Sequence, residues 1–146
     1  MREILFRGKR VDNGEWVEGS LVNNVFFHVD TKGAIPYIID PYEYEEYNCM
    51  EDIGDLAVEV TPETVGQFTG ILSKHGIKIF DGDILQGDDD IEDDVFHVAR
   101  IGQSDENRYE CFLDFNGDNK CWMPFISYFN RMEIIGNIHD NPEMLT

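Results

Sequence analysis

The sequence predicts a mainly β protein, a small barrel or sandwich of many short strands. Three observations predict it. Short runs rich in Val, Ile, Phe, Tyr and Trp recur along the chain. Turn signals such as Asp12-Asn13-Gly14, Thr31-Lys32-Gly33 and Asn116-Gly117 separate them, at the roughly 8- to 12-residue spacing of small β folds. The runs Val95–Ile101 and Tyr109–Phe115 alternate in polarity, as strands with one buried face do. No repeat of about 34 or 40 residues competes with this reading.

Each element follows in order. Ile4-Leu5-Phe6 opens a strand, Asp12-Asn13-Gly14 turns the chain, and Trp16-Val17 starts a return strand, so residues 3–22 form a hairpin. Val25–Val29 is β-branched and aromatic, hence a strand. Ile35–Ile39 is another, and Pro36 places it near a sheet edge or a strand start. Asp40–Leu56 is aromatic and acidic without a clean period and reads as a loop, either irregular throughout or with one helical turn. Ala57–Val60 resumes a strand. Thr61 is a candidate N-cap for a short helical turn over Pro62–Val65, because Pro suits the first helical position. Gln67–Leu72 and Ile77–Phe80 form a hairpin around Ser73–Gly76. Asp83–Gln86 opens the next strand, and Gly87–Asp94 is an acidic loop. Lys120–Met123 and Glu133–Ile138 complete the strands. Ser127–Asn130 reads as a short helix, and Asn141–Met144 as a capped turn.

The chain has 146 residues, enough for one domain or two small subdomains. A core can form at this size without disulfides or a structural metal. Thirty acidic residues face 11 Lys and Arg, a net charge of −19. That charge opposes direct nucleic-acid binding, which needs cations against phosphates, and docking on anionic lipid. It favours cations or proteins with basic surfaces as partners. A nucleic-acid module would need the bases of Arg2–Arg10 gathered with Arg100, Arg108 and Arg131 on one face. Cys49, Cys111 and Cys121 are odd in number and form no CxxC, which suits a reducing compartment. No run of about 18 apolar residues is present, and the N-terminus has no signal-peptide pattern. A cytoplasmic protein is expected.

The segment QFTGILSKHGIKIFDGDIL, residues 67–85, raises the sharpest chemical question. Asp81 and Asp83 flank Gly82 and could offer two carboxylates to a divalent cation. A metal-dependent hydrolase would build on them. Phe80 ends one apolar run and Ile84 begins another, so the favoured reading is a turn, with a carboxylate accepting backbone hydrogen bonds. Asp114, Asn116 and Asp118 begin like a calcium loop, but Asn119 and Phe125 fall where Gly and Glu are required. His28, His75, His97 and His139 make no zinc spacing. His97 meets Cys111 or Cys121 as a nucleophile pair only through tertiary placement. Trp16, Trp122, Phe125, Tyr128 and Phe129 serve core packing better than a stacking platform, since no basic groove accompanies them. No catalytic, cofactor-binding or metal residue is therefore assigned. The candidate partner-binding surface is acidic: Asp88, Asp89, Asp90, Glu92, Asp93 and Asp94. A sharper variant has this cluster and the acids of 40–59 mimicking a DNA phosphate array and occupying a basic protein. Self-association through an exposed edge, with Ile35–Ile39 as candidate, is a further expectation.

Three stretches in order, REILFRGKRVDNGEWVEGSL, TPETVGQFTGILSKHGIKIFDGDIL and EIIGNIHDNPEML, resemble the YopX family of phage and prophage proteins. The resemblance covers nearly the whole chain apart from 40–56 and 86–94. It implies a smaller β-rich N-terminal subdomain, 1–62, followed by an SH3-like barrel, 63–146. It implies phage or prophage origin and brings no activity, cofactor or site residues. The expected function is that of a non-enzymatic, protein-binding accessory factor.

Overall fold

In the computed structural model, residues 3–23, 35–40, 56–87, 97–103, 109–115, 119–121 and 131–145 are described. Eleven strands make up most of them: β1 Phe6–Lys9, β2 Trp16–Asn23, β3 Pro36–Ile39, β4 Ala57–Glu59, β5 Gly66–Leu72, β6 Lys78–Phe80, β7 Asp83–Gly87, β8 His97–Gln103, β9 Tyr109–Phe115, β10 Asn119–Cys121 and β11 Met132–Asn137. They form two antiparallel sheets, ordered β4-β3-β2-β1-β5-β6 and β10-β9-β8-β7-β11. The chain divides into two compact units, Glu3–Gln67 and Phe68–Thr146. Strand β5 opens in the first and continues in the second.

In the first unit, β1 and β2 pair from Phe6↔Gly19 to Lys9↔Trp16. The expected hairpin is present, but β1 runs to Lys9, and Val11 belongs to the turn. Gly14 supplies the positive φ of 72° that this turn needs. Two glycines let the strands approach closely. A Cβ at Gly8 would lie 2.9 Å from Val60 Cβ. A Cβ at Gly19 would overlap the Ile39 carbonyl oxygen and sit 3.0 Å from Ile38 Cγ2. Ile38 and Val60 are completely buried. Arg7 and Lys9 lie over the Trp16 ring, at 4.6 and 5.5 Å from its centroid, so the long basic side chains cover apolar surface on this face.

Two expectations are corrected here. Strand β3 is not an edge: it lies between β2 and β4, paired with both. Pro36 sits at its first residue, the position where a missing N–H is tolerated. The short 3-10 turn Pro62–Thr64 forms as expected, yet the Thr61 side chain does not cap it. The Thr64 hydroxyl ties the turn to β1 by other bonds: it donates to the Thr61 carbonyl at 2.6 Å and accepts from the Lys9 N–H at 2.9 Å.

In the second unit, Ile71, Ile79, Leu85, Ala99 and Met132 form a buried cluster, with Ile134 packed against it. Buried Thr69 donates its hydroxyl to the Ile79 carbonyl at 2.7 Å, which satisfies a polar group inside this apolar layer. The β5–β6 hairpin turns through Ser73–Gly76, where Gly76 has φ 75°. Strands β7 to β10 follow one another as a meander, and β11 returns to pair with β7. Ile135 is an extra residue in that last ladder, since the register shifts between Ile134 and Gly136. Among the described residues no ladder joins β10 to β11, so the five-stranded sheet is open there. The expected strands at 57–60, 67–72, 77–80, 83–86, 109–115 and 133–138 agree with β4, β5, β6, β7, β9 and β11 within one or two residues. The expected strand at 25–29 and helix at 127–130 lie outside the described residues.

Candidate binding groove

The main chain of β4 alternates between two sides. The Val60 N–H donates to the Pro36 carbonyl at 3.2 Å, toward β3. The Glu59 carbonyl accepts from the Val11 N–H at 3.1 Å, on the opposite side. Antiparallel strands place the groups of alternate residues on the same side. Ala57 therefore aims its N–H and C=O the same way as Glu59, away from β3. The end of β1 starts a ladder along this side: Arg10 bridges Val60, and the Thr61 N–H donates to the Lys9 carbonyl at 2.8 Å. The chain then leaves. Gly14 donates to the Arg10 carbonyl and Arg10 to the Glu15 carbonyl, both at 2.9 Å, and closes the turn.

A groove of about 290 Å³ lies at this departure, lined by Arg10, Val11, Asp12, Ala57, Val58 and Glu59. Its floor is small and apolar, and Val11 is 56% exposed. Its rim is charged. Arg10 grips Asp12 with two parallel bonds, Nε to Oδ1 at 2.9 Å and Nη2 to Oδ2 at 2.8 Å. The bond from Arg10 holds the Asp12 carboxyl below its ordinary value of 3.8. With Arg10 matched by Asp12, Glu59 leaves the rim acidic. Sequence reasoning did not find this groove. The Asn13-Gly14 turn was legible, but nothing local says that β4 is the strand left at an edge.

The paired aspartates are occupied by turn chemistry. Asp83 is buried, and its Oδ2 accepts from the Phe80 N–H at 2.8 Å. Asp81 Oδ1 accepts from the Ile101 N–H at 3.2 Å and lies 4.0 Å from the Arg100 guanidinium. Gly82 between them has φ 92°. It also ties β8 to the turn after β11: its N–H donates to the Ala99 carbonyl at 2.7 Å, and its carbonyl accepts from the Ile138 N–H at 2.9 Å. The segment is a structural corner, as the favoured sequence reading had it. Among the described residues no three His, Cys, Asp or Glu side chains gather as a metal site.

The predicted acidic surface, Asp88, Asp89, Asp90, Glu92, Asp93 and Asp94, lies outside the described residues. So do His28, Cys49, Trp122, Phe125, Tyr128 and Phe129. His97 is buried on β8, and His75 is exposed, 3.7 Å from Glu133. Among the described residues no helix is long and apolar enough to cross a membrane.

Two antiparallel sheets of short strands, pinned at their corners by glycines and aspartates, define a mainly β protein. A family model described as YopX protein matches residues 5–146. The chain belongs to the YopX family. No curated protein matches it. Among solved structures it is similar to protein EF1440 from Enterococcus faecalis, with 22% identity, all of both chains covered and a TM-score of 0.54. That likeness is one of fold.

Proposed function

We propose that the chain is a phage- or prophage-encoded accessory factor that acts by binding another protein in the bacterial cytoplasm, without catalysis. The observation that carries this reading is the fate of Asp81 and Asp83. They were the best candidates for chemistry, and their carboxylates accept main-chain hydrogen bonds at a turn. The net charge of −19 supports a partner with a basic surface. An SH3-like barrel in the C-terminal part belongs to the same reading. It is supported by the order β11-β7-β8-β9-β10, in which the last strand returns beside the first of a meander.

The experiment is an affinity capture from host lysate with the whole chain as bait. A second bait carries Asn or Gln at Asp88, Asp89, Asp90, Glu92, Asp93 and Asp94. A protein held by the first bait and lost from the second is the expected result. Capture of nothing by either bait at low and physiological salt would defeat the reading.

A further inference from the structure

The groove beside β4 is a ladder that stops early. On this side of β4 the Thr61 N–H donates to the Lys9 carbonyl, Arg10 faces Val60, and the Glu59 carbonyl accepts from the Val11 N–H. One pleat further on, the main chain of Ala57 aims the same way, and β1 has already turned off at Asp12. Among the described residues no strand continues the ladder past Val11. The space left is lined on one wall by the Val11–Asp12 turn and on the other by Ala57–Glu59. Its volume is about 290 Å³.

We infer that this edge takes an extended basic peptide segment of a partner protein, which adds to β4 in line with Val11. The inference rests on the protein-binding reading above and gives it a place and a mode. Main-chain bonds to Ala57 supply the affinity, as in other cases of strand addition. Small side chains fit against Val11 and Val58. A Lys or Arg meets Glu59, whose charge Arg10 does not neutralise because Arg10 is held by Asp12. The charge of −19 on the whole chain opposes an acidic segment and favours a basic one. It also opposes a second copy of the chain as occupant.

The test is an NMR titration of the ¹⁵N-labelled chain with three capped peptides of about eight residues, a common strand length. One alternates threonine and lysine. The second has the same sequence with every amide N-methylated, so the charge stays and the donors go. The third alternates threonine and glutamate. The lysine peptide should shift the Ala57 and Glu59 amides saturably. The methylated peptide and the glutamate peptide should each bind at least ten-fold more weakly, and Glu59→Lys should invert the preference for charge. Equal binding of the methylated peptide would reduce the site to simple charge attraction and overturn the inference. So would an unmoved Ala57 amide at millimolar lysine peptide. Shifts at Ala57 on concentrating the chain alone would make a second copy the occupant and overturn the basic peptide. A lysate partner that binds through the acidic loop and leaves Ala57 unmoved would sink the groove inference but leave the protein-binding reading standing.

Discussion

The Asp81-Gly82-Asp83 corner divides its work unequally among three residues. Asp83 is buried and accepts from a buried N–H, so Asp83→Ala strands that donor at a cost of about 1–3 kcal/mol. Asp81 is partly exposed, and Asp81→Asn keeps an acceptor oxygen at the same atom. That variant should stay within about 0.5 kcal/mol of the parent. Gly82→Val places a β-branched residue at φ 92°, at a cost of about 1–3 kcal/mol. Urea unfolding midpoints rank the three variants, and a damaging Asp81→Asn beside a harmless Gly82→Val would contradict the turn. Asp12 gives a second residue-scale prediction. Its folded value lies below its unfolded one, so its contribution to stability is complete above about 3.8 and fades as pH falls through the depressed value. Arg10→Gln should return the Asp12 midpoint to the ordinary range in a carboxyl NMR titration. No rise would mean that the two-pronged bond is absent in solution.

Strand-scale features were legible where local chemistry decides them. Asn13-Gly14 announced the first hairpin because a positive φ suits few residues, and Gly76 did the same for β5–β6. Strand neighbours were not legible. Pro36 suggested either an edge or a strand start for β3; it is the strand's first residue, and β4 takes the edge, because a missing N–H is harmless in both places. The groove was hidden for the same reason: it depends on which strand is last in the order. The close approaches were hidden too, since a glycine within a strand names no partner. They carry a prediction. Gly19→Ala drives a methyl into the Ile39 main chain and should cost at least as much as Gly8→Ala, which presses on Val60. Each falls in the range of about 1–3 kcal/mol for overpacking. A Gly19→Ala variant as stable as the parent by thermal unfolding would show that β2 and β3 sit further apart.

At the scale of the whole molecule the dominant quantity is the charge of −19. Self-repulsion among like charges destabilises the compact state, and salt screens it. Raising NaCl should therefore raise the melting temperature. MgCl₂ or CaCl₂ at matched ionic strength should raise it no further, because a rise beyond screening needs a cation bound only by the folded state, and among the described residues no metal-holding group of side chains gathers. An excess of several degrees for a divalent ion would revive a metal-dependent reading.

The return of β11 to β7 has a consequence during synthesis. β7 ends at Gly87 and its outer neighbour begins at Met132. At roughly 5–20 residues per second, the ribosome takes about 2 to 9 s to make the intervening segment. For those seconds Ile84 and Leu85, both fully buried in the finished fold, belong to a strand with one side open. The acidic run from Asp88 to Asp94 follows β7 directly in the sequence, and so leaves the ribosome next. Charge placed there repels other nascent chains while β7 waits for its partner. A chain with Asp88, Asp89, Asp90, Glu92, Asp93 and Asp94 changed to Asn or Gln is expected to aggregate more during synthesis than the parent, read as the insoluble fraction after cell-free translation.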